Sequence, residues 1–212
     1  MGFYQRFVLP KIINAACSVR PAMRQRAKVV PLASGRVLEV GFGSGLNLPF
    51  YDVNKVTQVW ALEPSAEMWA LADGRVRGAA FPVEFLKAPA EGIPLADETV
   101  DTALVTYALC TLPDVGRALG EGARVLRPGG ELLFCEHGAA PDQTVRRWQN
   151  RLNPIWRIVA GGCNLNRAIP ALIEDAGFRV CDLSTMYIPG WRPGSFNYWG
   201  RALNSRPARA RR

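Results

Sequence analysis

The stretch that most constrains this chain is Val37-Leu38-Glu39-Val40-Gly41-Phe42-Gly43-Ser44-Gly45, an apolar run that stops at three glycines on alternate positions. Val37, Leu38 and Val40 suit a buried strand of a parallel sheet. Gly41, Gly43 and Gly45 let the backbone approach a ligand with dihedrals that a Cβ would forbid. The stretch predicts a strand feeding a nucleotide-binding loop. The fingerprint G-x-G-x-x-G uses a third glycine for close helix–strand packing beneath a pyrophosphate; here Leu46 holds that position and the pattern is G-x-G-x-G. Taken by itself, the loop could also be a tight turn with no ligand.

A chain of 212 residues predicts one domain with room for an appended cap, and a hydrophobic fraction of 49% fits a globular enzyme. No apolar run reaches bilayer-spanning length, and the start lacks the pattern of a secretory signal, so a cytoplasmic location is expected. Cys17, Cys110, Cys135, Cys163 and Cys181 are odd in number and form no C-x-x-C pair, which indicates neither a disulfide framework nor a zinc site. The net charge of +8 gathers at the ends, in Arg20, Arg24, Arg26 and Lys28 and again in Arg201, Arg206, Arg209, Arg211 and Arg212. Such a balance suits nucleic acid, an anionic membrane surface or an acidic substrate. No aromatics interleave with the arginines after Trp199, as a single-strand binder needs, and residues 204–212 are expected to be a disordered, solvated basic tail.

Residues 3–30 read as interrupted helix: Phe3, Tyr4, Phe7, Val8 and Leu9 are apolar, Pro10 marks a helix start, and Pro21 begins a second, more basic helix. Residues 1–30 are therefore expected to form a helical cap or lid over a ligand crevice, with an interfacial membrane helix as the alternative. Strands are expected at 58–62, 83–86, 102–106 and 131–135, and helices at 65–71, 113–126 and 168–176. A further helix at 142–157 should break near Pro154, and Pro49 should cut short the helix after Gly45. Strands at 178–183 and 196–200 would make a terminal antiparallel hairpin. Glu63 ends the second strand about twenty residues past the glycines, where a carboxylate can accept both ribose hydroxyls of an adenosine ligand. Asn47 could bond the ligand or cap the turn. His137, the single histidine, falls at the carboxyl edge of the sheet as a candidate general base or a locally bonded strand end.

Ala88-Pro89-Ala90-Glu91-Gly92-Ile93-Pro94-Leu95-Ala96-Asp97-Glu98-Thr99-Val100-Asp101 resembles the G-D-A-E-x-L-P-F-x-D-x-S-F-D passage of the type 11 methyltransferases. The glycine loop with Glu39 upstream resembles motif I of the class I S-adenosylmethionine-dependent enzymes, and Leu126-Arg127-Pro128-Gly129-Gly130 resembles their turn before strand five. The resemblance spans residues 37–135. It implies an α/β, Rossmann-like fold: a seven-stranded, mostly parallel sheet with a C-terminal antiparallel hairpin, the methyltransferase domain at 31–203 and an N-terminal helical cap. It also implies S-adenosylmethionine as cofactor, S-adenosylhomocysteine as product, and cofactor contacts from Glu39, Gly41, Phe42, Gly43, Ser44, Gly45, Asn47, Glu63, Pro64, Ala90, Glu91, Thr106 and Tyr107. Pro89 stands where many members carry an aspartate that reads the adenine, which leaves that task to the Ala90 backbone and Glu91.

Tyr107-Ala108-Leu109-Cys110, Glu136-His137 and Gly162-Cys163-Asn164-Leu165 extend the resemblance, to about residue 200, to a methyltransferase-like group that includes alkyl-thiol S-methyltransferases. Tyr107-Ala108-Leu109 replaces the Asn/Asp-Pro-Pro-Tyr/Phe turn of nucleobase amine methylases, which argues against a nucleic-acid substrate. The expectation is methyl transfer to a small-molecule acceptor, a thiol or other soft nucleophile, with His137 as base and no metal required. Cys110 and Cys163 would line the same pocket or sit in the core. Two other readings stay open: an inactive cofactor-binding interaction module, and a nucleic-acid or anionic-lipid binder using the basic termini, with peripheral membrane contact.

Overall fold

The computed structural model describes residues 8–205, so the expectations for Phe3, Tyr4, Phe7 and the tail from Arg206 onward lie outside the described residues. Helices α1 (Leu9–Cys17) and α2 (Arg20–Val29) begin at the two prolines. They precede β1 (Gly35–Val40), β2 (Val56–Leu62), α3 (Ala66–Arg77), β3 (Val83–Leu86), β4 (Val100–Thr106), α4 (Val115–Val125) and β5 (Leu126–His137). The chain then runs through α5 (Gln143–Val159), α6 (Ile169–Asp175), β6 (Phe178–Tyr187) and β7 (Phe196–Asn204). Ser65 caps α3 by accepting from Met68 N, and Asp114 caps α4 by accepting from Arg117 N. Among the described residues no helix is long and apolar enough to cross a membrane.

The seven strands form one sheet in the order β3-β2-β1-β4-β5-β7-β6. The first five are parallel, while β7 runs antiparallel to both β5 and β6, so the terminal hairpin inserts its last strand beside β5. Alternate residues of the parallel strands feed two cores, as strand geometry requires. Leu38, Leu62, Val105 and Phe134 pack against Ala118 and Leu119 of α4 and Ile169 and Ile173 of α6. Val37, Val59, Leu104 and Leu133 face the other way, onto Val29 of α2 and Ala72 of α3.

Two local expectations change, and the short element expected at Pro49 is found. Leu126-Arg127-Pro128-Gly129-Gly130 turns within a longer strand rather than before it. Val100 pairs with Leu126 and Thr102 with Glu131, so the extra residues bulge out, with Gly129 at φ +78°. A Cβ on Gly130 would stand 2.9 Å from the Asp101 carbonyl oxygen, which only glycine tolerates. Pro154 lies inside α5 without breaking it; both Pro154 and Asn150, whose carbonyl loses its partner, are exposed, so water can satisfy that carbonyl. After Gly45 the chain forms only one 3-10 turn, Leu48–Phe50.

Candidate active site

Strand order reverses about β1, and in open α/β sheets ligands bind at the carboxyl ends of the strands at such a point. A cavity of about 370 Å³ opens there, within the size range of small-ligand sites. Gly41, Phe42, Gly43, Ser44, Glu63, Pro64, Thr106 and Tyr107 line it. Gly45, Glu39, Asn47, Ala90, Glu91 and His137 do not reach that wall.

The loop after β1 is built by backbone conformation. Gly41, Gly43 and Gly45 take φ of +71°, +58° and +74°, and a Cβ on Gly41 would lie 2.6 Å from the Ala108 Cβ. Gly43 N donates to Glu63 Oε2 at 2.9 Å and Ser65 N donates to Glu63 Oε1 at 2.9 Å. These bonds fix the carboxylate plane from behind while each oxygen keeps acceptor capacity toward the cavity. Burial raises the Glu63 pKa, and the two backbone N–H groups oppose that rise.

Behind the loop lies a buried polar network. Asn47 Nδ2 donates to Glu39 Oε1 and to Thr106 Oγ1, each at 2.9 Å, and the Tyr51 hydroxyl donates to Glu39 Oε2 at 2.6 Å. Glu39 thus braces the loop from inside the core, at 1% exposure, and burial pushes its pKa up to about 7 against the pull of Tyr51, Arg26 and Asn47. Arg26 of α2 reaches the same network: its Nη1 donates to Asn47 Oδ1 at 2.8 Å and to Thr106 Oγ1 at 2.5 Å. Its guanidinium lies 5.0 Å from the centre of the Tyr107 ring. Arg26 lines the cavity, and its buried Nε has no protein partner among the described residues. No local pattern in the sequence marks this residue: of the face it shares on α2 only Ala22 and Val29 are apolar, and the burial of Gln25 and Arg26 beside them comes from the fold.

The remaining wall comes from α1. Leu9, Pro10, Ile13, Asn14 and Cys17 face the cavity, and Asn14 Oδ1 accepts from Ser44 Oγ at 2.5 Å. Met68, Thr111, Leu112 and Pro113 complete the lining, so the enclosure is largely apolar. Sequence periodicity placed helices before β1 without saying which face would meet the loop.

The other candidates sit elsewhere. Ala90 is buried in the core beside Ile93, and Glu91 Oε1 accepts from Asp114 N at 3.1 Å. Glu136, fully buried, accepts from Ala108 N at 2.6 Å and Leu109 N at 2.9 Å and so holds the turn after β4. His137 Nε2 lies 3.2 Å from Cys163 Sγ, and its buried Nδ1 has no partner among the described residues. Cys110 and Cys163 do not line the cavity, whereas Cys17 does.

The family model described as "Methyltransferase domain" matches residues 38–134, a span that runs from within β1 into β5. The human thiol S-methyltransferase TMT1A is 34% identical over 177 residues, covering 76% of this chain and 69% of the relative. The chain belongs to the type 11 methyltransferase family. A phosphatidylethanolamine N-methyltransferase from Cereibacter sphaeroides is 34% identical over 158 residues, 70% of this methyltransferase and 76% of that one. Among solved structures, a SAM-dependent methyltransferase from Thermotoga maritima superposes with a TM-score of 0.66 at 25% identity, covering 95% of this chain and 97% of that chain.

The methyltransferase uses S-adenosylmethionine to methylate a small-molecule acceptor. The cavity suits that cofactor on three counts. Positive-φ glycines leave room where a side chain would fill the cradle. A back-anchored carboxylate matches a vicinal diol. An unpartnered buried guanidinium Nε supplies a donor for a carboxylate.

Proposed function

We propose that this methyltransferase carries out S-methylation of an apolar thiol, and that α1 closes over the bound pair as a lid. The observation that carries the reading is the apolar lining that Leu9, Ile13 and Cys17 of α1 share with Met68 and Leu112 in the cavity bordered by the glycine loop. The relatives named thiol S-methyltransferases support it.

In this reading Glu63 holds the ribose hydroxyls, Gly41 and Gly43 admit the amino-acid portion of the cofactor, and Arg26 takes its carboxylate through Nε. S-adenosylmethionine supplies an electrophilic methyl group on a sulfonium. The chain's own residues contribute orientation and exclusion of water, which in a closed site account for much of the rate. A free thiol with pKa near 8.5 is a few per cent thiolate at neutral pH, and that fraction is the nucleophile. His137 is held away from the cavity wall by its contact with Cys163, so the acceptor proton leaves to solvent.

The test is incubation with methyl-labelled S-adenosylmethionine and a panel holding an alkyl thiol, an alkyl amine and phosphatidylethanolamine in vesicles, with products read by mass spectrometry. Label on sulfur is expected. Label on nitrogen alone would reject thiol methylation in favour of the chemistry named for the Cereibacter relative.

A further inference from the structure

Cys110 follows β4, His137 ends β5, and Cys163 lies in the turn between α5 and α6. The fold draws these three segments together until the Cys110 Sγ, one His137 ring nitrogen and the Cys163 Sγ all lie within 4.8 Å of one another. The His137 nitrogen facing the sulfurs is Nε2, 3.2 Å from Cys163 Sγ. We propose that Cys110, His137 and Cys163 form a zinc-binding site, separate from the cofactor cavity.

Geometry supports this directly. Zn–S bonds of about 2.3 Å and Zn–N bonds of about 2.0 Å put tetrahedral ligand atoms roughly 3.5–3.8 Å apart. The three ligand atoms, all within 4.8 Å of one another, are already grouped near that spacing. Two sulfurs and one imidazole are the donor set that zinc shares with few other biological cations.

The backbone around each ligand is already fixed without a metal. Asn164, next to Cys163, donates to the Cys110 carbonyl through its backbone N at 2.8 Å and its Nδ2 at 2.9 Å. Arg167 donates to the carbonyls of Leu109 and Leu112, on either side of Cys110. Glu136 ties the turn before Cys110 to the strand end that carries His137. A site whose ligands are set by surrounding hydrogen bonds loses little entropy on binding.

Charge balance also fits the burial. Cys110 is buried, and His137 and Cys163 are half-buried. On binding Zn²⁺ the two thiols release their protons to solvent, so the dication, two thiolates and neutral imidazole carry no net charge. A neutral unit of this kind avoids the desolvation cost of an isolated buried ion. Three protein ligands leave a fourth coordination position for water or another donor.

The test uses the full chain, reduced and freed of metal by a chelator, and titrates it with Co²⁺ as a spectroscopic stand-in and then with Zn²⁺. The expected result is one Co²⁺ per chain with a near-ultraviolet thiolate-to-cobalt band and tetrahedral visible bands, all displaced by one Zn²⁺. Cys163→Ser should weaken Zn²⁺ by more than about a hundredfold, since losing only a hydrogen-bond partner behind a ligand costs about 10- to 100-fold. Cys110→Ser should do the same, while Cys181→Ser, at an exposed position on β6, should bind as wild type does. Zn²⁺ should raise the Tm of the wild type and leave that of folded Cys163→Ser unmoved. Absence of a thiolate band in the wild type, or an equal band in Cys163→Ser, overturns the site.

Discussion

At the scale of single residues, two buried glutamates do different work. Glu63 faces the cavity with both oxygens anchored from behind. Glu63→Ala removes the diol acceptor, and since hydrogen bonds to a charged group contribute about 1.5–3 kcal/mol, S-adenosylmethionine affinity measured by calorimetry should fall by about 10- to 100-fold. Unchanged affinity would remove Glu63 from the cofactor site. Glu39 instead faces inward, and its pKa of about 7 against an ordinary 4.5 makes its ionised form costly in the folded state. A raised carboxyl pKa contributes stability that is fully present below pH 4.5 and lost as pH rises through about 7. The shift corresponds to about 3 kcal/mol for a fully buried group. Urea unfolding of wild type and Glu39→Gln should therefore show the wild type losing about that much relative to the variant between pH 4.5 and 7, with no further divergence above. A constant difference across that window would mean that Glu39 is ionised in the fold at lower pH.

Elements hold because a few side chains close specific backbone accounts. Gln149 on α5 is fully buried: its Oε1 accepts from Ala140 N, and its Nε2 donates to the carbonyls of Gly138 and Pro193, each at 2.9 Å. One side chain thus joins α5 to the segment after β5 and the turn before β7. Gln149→Leu leaves those backbone groups unpaired in the interior, at about 1–3 kcal/mol each, so a loss of at least about 2 kcal/mol in urea unfolding is expected. At the β1 loop, Gly41→Ala puts a Cβ 2.6 Å from that of Ala108 in a left-handed conformation. Strain and overpacking together should cost about 2 kcal/mol or more, lowering Tm by about 4–8 °C or more in a chain of this size. The same elements mark how far sequence reading goes. β3 is found at its expected residues because Val83–Leu86 is bounded by Pro82 and Lys87. β6 runs four residues past its expected end because Ser184, Thr185 and Met186 are exposed, and only pairing with β7 keeps them in a strand. Arg26 and the triad of Cys110, His137 and Cys163 were hidden for a shared reason: each depends on residues far apart in sequence meeting in the interior, which no local period or spacing records.

Across the whole molecule, the parallel sheet is a rigid base and α1 is its least secured wall. Within α1 only Pro10 is buried, and Ile12 on its outer face is 50% exposed. Ser44 Oγ, donating to Asn14 Oδ1, ties it to the glycine loop. Segments with little buried surface open locally at low free energy, well below global unfolding. A cofactor present at about 100 times its Kd adds about 2.7 kcal/mol to the folded state as a whole, equivalent to a rise of about 5–11 °C in Tm. If α1 is the lid, the added protection is uneven. Hydrogen exchange should slow strongly at residues 11–17 on addition of S-adenosylmethionine, while the amides of β1 and β4, paired with each other and buried between the two cores, should slow by no more than the overall gain in stability predicts. Asn14→Ala should weaken the α1 response and leave the sheet response in place. Equal slowing everywhere would make α1 a fixed wall, and the acceptor would then have to enter without any movement of that helix.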